Sequence, residues 1–189
     1  MDSLIEFVKN CIDLPKSEEV KFLKLLSVKQ ISKGDYFIQE GEIPKKFGYV
    51  HQGLFRYFYL KNKGNEVTKS FIPEGNFVSS YSAMITHRPS AIYIEALEDS
   101  IVYEIKYTEW VKLKEGDPCW NQLLIALLEK AFTIKETRER ELLLLSADER
   151  YLIFRNEFLN IEKRVKQHLV ASYLGISPVS LSRLRKTSH

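Results

Sequence analysis

The chain has 189 residues and a formal net charge of +3, and 44% of its residues are hydrophobic. This length allows one full domain or two small ones, and the apolar content excludes wholesale disorder. Two cysteines are too few for a disulfide-rich scaffold, a four-cysteine zinc site or a four-cysteine iron–sulfur site. There is no basic stretch ahead of an apolar one at the N-terminus and no apolar run long enough to span a membrane. We therefore expect a soluble cytoplasmic protein with free thiols.

Residues 1 to about 27 predict two short helices. Leu4 and Val8 recur at helical spacing, and Pro15 ends that pattern. Ser17 precedes two glutamates, which predicts the N-cap and first turn of the second helix.

Residues 28 to about 106 predict an antiparallel sandwich, barrel or jelly roll, because short aromatic and β-branched runs recur every 8–12 residues or so. Turn residues separate the runs, among them Gly53 and the stretch Asn62-Lys63-Gly64-Asn65. The strand-like segments are Tyr36–Gln39, Leu54–Leu60, Val67–Ile72, Ala91–Leu97 and Ile101–Ile105.

A long helix is predicted from Asp117-Pro118 to about Leu145, since Asp is a good N-cap and Pro a good first helical residue. Apolar side chains alternate along it in steps of four and three, as in a coiled-coil seam. They are Trp120, Leu124, Leu127, Ala131 and Ile134. A helix packed on its own domain would give a similar pattern. We favour a partner helix, and hence a dimer interface, because the helix is otherwise charged.

The residues after about 146 predict a capped helix followed by a helix-turn-helix. Ala171 is small enough for two helices to cross closely, and Gly175, four residues later, suits a turn that needs positive φ. Ser177 and Pro178 then suit the start of the second helix. An ordinary helical hairpin is the alternative. The candidate DNA-binding residues are Lys166, Gln167, Ser177, Val179, Ser180, Ser182, Arg183, Arg185 and Lys186. Hydroxyls and long cations suit base edges and phosphates.

The distribution of charge supports this prediction. Residues 146–189 carry a net charge of +4, whereas residues 1–145 carry −1. No acidic residue follows Glu162. The basic excess therefore lies on the predicted DNA-reading unit.

These features together resemble the cyclic-AMP receptor protein / fumarate–nitrate regulator family of bacterial transcription regulators. The resemblance rests on the helix-turn-helix and on motifs of the β-rich region: Gly34-Asp35, Glu40-Gly41-Glu42, Tyr49-Val50-His51-Gln52-Gly53 and Pro73-Glu74-Gly75-Asn76-Phe77. It implies a jelly-roll sensor domain, a long helix that pairs in a homodimer, and recognition helices that enter the major groove of a palindromic operator. RNA polymerase and a small-molecule effector are further partners that it implies.

The effector site departs from the family's pattern. Members that bind cyclic AMP carry Gly-Glu after the Gly-x-Phe corner for the ribose, and an arginine about ten residues later for the phosphate. Here Ser79-Ser80 replaces Gly-Glu, and Pro89 stands in place of the arginine, with Arg88 beside it. We therefore expect no cyclic-AMP binding. The pocket either holds another small molecule or is filled by side chains. Its candidate residues are Ser79, Ser80, Ser82, Arg88 and Ser90.

Other function classes have less support. A haem sensor needs axial ligands, and neither His51 nor His87 lies in a recognisable context. A cupin-type metalloenzyme needs two histidines one residue apart, and no His-x-His occurs. We accordingly expect no enzyme, metal or cofactor. The alternative is a small-molecule-binding or cupin-type jelly roll whose C-terminal helices bind a protein.

The sequence thus predicts an α+β chain. It comprises a sensor domain over residues 1–116, a dimerisation helix over 117–145 and an all-α helix-turn-helix domain over 146–189. The β-hairpin wing that usually follows the family's recognition helix is expected to be absent, because the sequence ends shortly after Lys186.

Overall fold

The computed structural model describes residues 1–61 and 64–187. Outside this described part lie residues 62 and 63, which belong to the predicted turn. Residues 188 and 189, which bear on the expectation about the wing, also lie outside it. The elements, in chain order, are α1 (Asp2–Cys11), α2 (Lys16–Leu25), β1 (Ser27–Ile31), β2 (Tyr36–Ile38), β3 (Lys46–Gln52), β4 (Leu54–Leu60), β5 (Glu66–Pro73), β6 (Phe77–Val78), α3 (Tyr81–Thr86), β7 (Tyr93–Ala96), β8 (Ser100–Lys106), α4 (Tyr107–Lys114), α5 (Cys119–Leu144), α6 (Ala147–Glu157), α7 (Ile161–Arg164), α8 (Gln167–Leu174) and α9 (Pro178–Thr187).

These elements form two compact units. The first comprises Met1–Tyr59 and Ser70–Leu128, and the second comprises Leu60–Lys69 and Glu129–His189. The division falls within α5, whereas the sequence suggested boundaries at either end of that helix. None of the helices in the described ranges has the length and apolar character needed to cross a membrane.

The first unit contains two antiparallel four-stranded sheets, with strand orders β1-β8-β3-β6 and β2-β7-β4-β5. Tyr49 of β3 lies opposite Tyr103 of β8, and Tyr57 of β4 lies opposite Ile94 of β7. The predicted jelly roll is confirmed. Its predicted strands agree with the observed ones to within two residues at each end, because turn residues mark strand ends locally.

Gly53 joins β3 to β4 at a corner that no other residue fits. Its φ is +104°, and a Cβ there would lie 2.1 Å from the Ser100 hydroxyl oxygen. Its N–H donates to the Glu74 carboxylate at 2.9 Å. Glycine is thus required here both for its backbone conformation and for the space it leaves.

The main core of the first unit lies between the β1-β8-β3-β6 sheet and the helices α1, α2, α4 and α5. Trp120, at the start of α5, is fully buried in this core. Its ring lies 4.9 Å from that of Phe22 and 5.9 Å from that of Trp110. Its indole N–H donates to the buried Glu18 carboxylate at 2.8 Å. This hydrogen bond ties α5 to α2.

The second helix begins differently from the prediction. Helix α2 starts at Lys16 with Pro15 at its N-cap, so Ser17 lies inside the helix and is not its cap. Glu18 and Glu19 lie in the first turn as predicted, but they are buried there and form ion pairs with lysines. Helix α2 therefore begins without a side-chain cap.

Helix α3 was not predicted. It occupies part of the segment between β6 and β7, where small polar residues give no apolar periodicity. It ends at His87, whose backbone adopts the left-handed conformation with φ +52°.

Ser146 is the N-cap of α6 in the second unit. The Ser146 hydroxyl accepts from the backbone N–H of Glu149, and the Glu149 carboxylate accepts from the backbone N–H of Ser146. This capping box confirms the predicted break between α5 and α6.

We predict that Trp120→Phe lowers the free energy of unfolding by about 1–3 kcal/mol, because the Glu18 carboxylate then stays buried with one donor fewer. Urea denaturation monitored by circular dichroism measures the change. Trp110→Phe is the matched control, since Trp110 is equally buried and the lost ring volume is the same. Equal losses in the two variants would show that the hydrogen bond adds nothing to the packing of the ring.

Candidate nucleic-acid interface and sensor site

The turn between α8 and α9 has the geometry that a helix-turn-helix requires. Gly175 ends α8 with φ +71°, and the N–H of Ile176 donates to the carbonyl of the fully buried Ala171 at 3.0 Å. The Ser177 hydroxyl accepts from the N–H of Ser180 at 3.1 Å, so Ser177 caps α9. Each local role assigned to these residues from the sequence is present in the structure.

Helix α9 has one buried face and one exposed face. Leu181 is buried and Leu184 is half-buried, so these two leucines anchor the helix. Seven of the nine candidate DNA-binding residues are exposed: Lys166, Gln167, Ser177, Val179, Ser182, Arg183 and Lys186. Ser180 and Arg185 are half-buried. The exposed face therefore combines hydroxyl groups and cations, as the sequence predicted.

Arg185 has an acidic partner within the same unit. Its Nε lies 3.2 Å from Oε1 of Glu162 on α7, and the same oxygen accepts the Tyr151 hydroxyl at 3.0 Å. Burial and this hydrogen bond raise the pKa of Tyr151. The sequence prediction listed Arg185 among the DNA-binding residues, because it had no means of placing Glu162 beside α9.

Two arginines that the sequence left unassigned hold the C-terminal end of α8. The Arg138 guanidinium lies 3.9 Å from the centre of the Tyr173 ring and donates to the Tyr173 carbonyl. Arg150 donates from Nε to the Leu174 carbonyl at 3.2 Å. Both carbonyls belong to the last turn of α8, where cations are favourable. The two arginines thus fix the helix that leads into the turn.

Ser172 of α8 binds two backbone groups of the segment Leu60–Lys69, which belongs to the same unit. Its hydroxyl oxygen accepts the Thr68 N–H at 2.9 Å and donates to the Glu66 carbonyl at 3.3 Å. These two hydrogen bonds hold that segment to α8 within the second unit.

In the candidate effector site of the first unit, Tyr57 binds the backbone of Ser79. The hydroxyl of this buried tyrosine accepts the Ser79 N–H at 2.7 Å and donates to the Ser79 carbonyl at 3.0 Å. Burial raises the pKa of Tyr57 well above its usual range, so the hydroxyl stays protonated. The backbone of Ser79 is therefore satisfied from within the protein.

The five candidate effector residues separate into two groups. Ser80 and Ser90 are buried and their hydroxyls are hydrogen-bonded at 3.0 Å. Ser79 lies next to this pair, at the Tyr57 hydroxyl. Ser82 and Arg88 are exposed. The structure thus brings three of the five together. Ser80 and Ser90 bind each other, whereas the buried Oγ of Ser79 has no hydrogen-bond partner among the described residues.

The five residues predicted for a dimer seam also separate. Trp120 is fully buried, and Leu124 and Leu127 pack against the same core, so these three belong to their own unit. The sequence prediction for Trp120 is corrected, because no surface of this side chain remains for a partner. Ala131 and Ile134 are exposed.

Large apolar side chains are exposed on more than one side of α5, Ile134 and Leu142–Leu144 included. Among them, Ile125 is 55% exposed, Leu128 42% and Phe132 65%. Their steps of three and four place them on one side of the helix. We call these three residues the outer stripe.

Over residues 1–61 and 64–187, no three histidine, cysteine, aspartate or glutamate side chains come together as a metal-ion site.

Comparisons with known proteins match the architecture described above. Residues 28–117 match the model of the cyclic nucleotide-binding domain. No curated protein matches the sequence.

Among solved structures, the c-di-GMP-responsive global regulator CLP from Xanthomonas campestris is similar, with a TM-score of 0.73 and 16% identity over 92% of this chain and 91% of that chain. FixK2 from Bradyrhizobium japonicum has a TM-score of 0.74 and 18% identity over 86% of this chain and 83% of its own. A regulator from Eubacterium rectale assigned to the crp/fnr family has a TM-score of 0.72 and 17% identity over 93% of this chain and 83% of its own. Residues 28–117 are therefore a cyclic nucleotide-binding-type domain, and the chain has the fold of the Crp/Fnr transcriptional regulators.

Proposed function

We propose that this protein is a transcription regulator that binds DNA through α9 as a homodimer, and that it is not an enzyme. The observation that carries the proposal is the exposed face of α9 behind a fully formed helix-turn-helix turn. Val179, Ser182, Arg183 and Lys186 are exposed there, on a helix anchored by Leu181. This combination suits a major groove, where cations contact guanine and phosphate and apolar groups contact thymine.

Dimerisation is proposed to occur through the outer stripe. Trp120 and Leu123 face the core of the first unit, so the opposite side of α5 is left exposed. Three large apolar side chains in steps of three and four are the repeat by which two helices pair. A two-fold symmetric dimer would present two α9 helices to the two halves of a palindromic operator. RNA polymerase is a further proposed partner, on the fold likeness alone.

The sensor domain is proposed not to respond to cyclic AMP. The Tyr57 hydroxyl already uses both backbone groups of Ser79, and Ser80 and Ser90 bind each other. Arg88, which stands next to the family's arginine position, is exposed. An effector of a different chemical kind, or none, fits this arrangement better. The alternative is a jelly roll whose C-terminal helices bind a protein. No specific observation on the described residues favours it.

We predict that Arg183→Ala weakens binding to a specific duplex 10- to 100-fold, equivalent to about 1–3 kcal/mol, if the side chain reads a guanine. The duplex is first selected from a random library by the wild-type protein, and binding is then measured by fluorescence anisotropy. Lys186→Ala is the comparison variant. Loss of a phosphate contact should weaken binding to selected and random duplexes alike, and lower the slope of log K against log salt by about one. Unchanged binding of the Arg183 variant to both duplexes would remove this residue from the interface.

We predict that Phe132→Asp converts the dimer to monomer, because two carboxylates would then face each other in an apolar seam. Sedimentation equilibrium measures the mass in solution. Thr133→Asp is the matched control, since the neighbouring residue is also exposed but points about 100° away around the helix. A monomeric wild-type protein, or dissociation of both variants, would refute the outer stripe as the seam.

We predict that neither cyclic AMP nor cyclic GMP raises the melting temperature at millimolar concentration. A ligand present at 100 times its Kd would stabilise the protein by about 2.7 kcal/mol, which a thermal-shift assay detects easily. The selected duplex serves as the positive control for the assay. Saturable stabilisation by either nucleotide would show that the Tyr57 contacts with Ser79 do not exclude the nucleotide.

A further inference from the structure

Glu162 is the only acidic residue among the last 32 residues of the sequence, 158–189, which contain six lysines and arginines. It lies on the short helix α7 and is half-buried. Its Oε1 atom meets two donors, Nε of Arg185 at 3.2 Å and the hydroxyl of Tyr151 at 3.0 Å. The only acid of this segment is therefore directed at a cation of the proposed recognition helix.

The Tyr151 contact holds this acid in place. Tyr151 is buried in α6, so its hydroxyl is a fixed donor, and a carboxylate bound to a fixed donor has little freedom to turn away. Arg185 is half-buried on its own helix, which limits its side chain as well. The ion pair therefore links α9 to α7 with both partners restrained, unlike a surface pair between two flexible chains.

We infer that Glu162 neutralises Arg185 and makes it a positioning residue for α9 and not a DNA contact. This inference rests on the proposed DNA-binding function. A guanidinium whose charge is already balanced by a carboxylate does not neutralise a phosphate, so it releases no counterion from the DNA. It therefore adds nothing to the sequence-independent part of the binding free energy. Glu162 thus limits sequence-independent binding and leaves discrimination to the exposed side chains of α9.

The experiment measures the salt dependence of binding to a random-sequence duplex by fluorescence anisotropy between 50 and 200 mM salt. Glu162→Gln keeps an oxygen for the Tyr151 hydroxyl but removes the charge. We expect its slope of log K against log salt to steepen by about 0.9, the contribution of one released phosphate contact. Asp148→Asn is the matched control, because it removes one exposed acid from the same unit, at the first turn of α6. Its slope should stay close to that of the wild-type protein.

The reciprocal variant tests the other partner. Arg185→Ala should leave the slope unchanged, whereas Lys186→Ala should lower it by about 0.9. Arg185→Gln keeps a donor for Glu162 and replaces the alanine variant if circular dichroism shows that the latter does not fold.

Two outcomes would overturn the inference. One is a slope for the Arg185 variant that falls as far as that of Lys186→Ala, which would make Arg185 a phosphate contact. The other is a Glu162→Gln slope equal to that of Asp148→Asn, which would show that Glu162 masks no charge. Failure of the wild-type protein to bind any duplex is a different result, because it would refute the proposed function and the inference with it.

Discussion

The hydrogen bond from the Trp120 indole to the buried Glu18 carboxylate sets the rotation of α5, and much of the structure depends on that rotation. A carboxylate removed from water needs donors, and Glu18 has two, the Lys21 ammonium and the Trp120 indole. Hydrogen bonds from Lys21 and Trp120 lower the pKa of Glu18, so the carboxylate is charged at neutral pH. Because each residue of an α-helix turns the chain by about 100°, one fixed side chain at its start assigns a direction to the residues that follow it within the first unit, up to Leu128. Ile125 and Leu128 of the outer stripe are on the side of α5 that this anchor leaves exposed.

This anchor explains why Trp120, predicted as a seam residue, belongs instead to the core of the first unit. Leu123 to Leu128 is an unbroken apolar run, so both the observed inner side and the outer stripe fit an alternation of threes and fours. Only the tertiary contacts of Trp120 decide between them, and Glu18 is 102 residues away in the chain. Periodicity therefore predicted a long amphipathic helix correctly but not which of its sides meets its own core.

The helix-turn-helix turn and the strand ends were predictable, because each follows from chemistry within a few residues. Gly175 is needed for positive φ, and Ser177 caps a helix that starts at the next residue. The surroundings of Ser79 were not predictable in the same way. Serines in place of an acid indicated only a lost ligand contact, whereas the hydroxyl that binds the Ser79 backbone comes from Tyr57 on β4, 22 residues away. The absence of a motif can be recognised from a few neighbouring residues. Which side chain then contacts those residues depends on the register of the sheets.

The second unit is stabilised by contacts that arginines and a serine make with backbone groups. Arg138 and Arg150 satisfy the last carbonyls of α8, and Ser172 satisfies β5. Several cations of the unit are thus engaged within the protein, Arg150 and Arg185 among them, so fewer than the eight lysines and arginines of residues 146–189 are available to phosphates. Few phosphate contacts mean weak binding by one unit at physiological salt. In the proposed homodimer, two copies of the second unit would be joined through α5. The second DNA contact would then be intramolecular, with an effective concentration in the millimolar range for closely linked sites. With this distribution of charge, the proposed pairing of α5 would matter as much for holding DNA as the side chains of α9 for reading it.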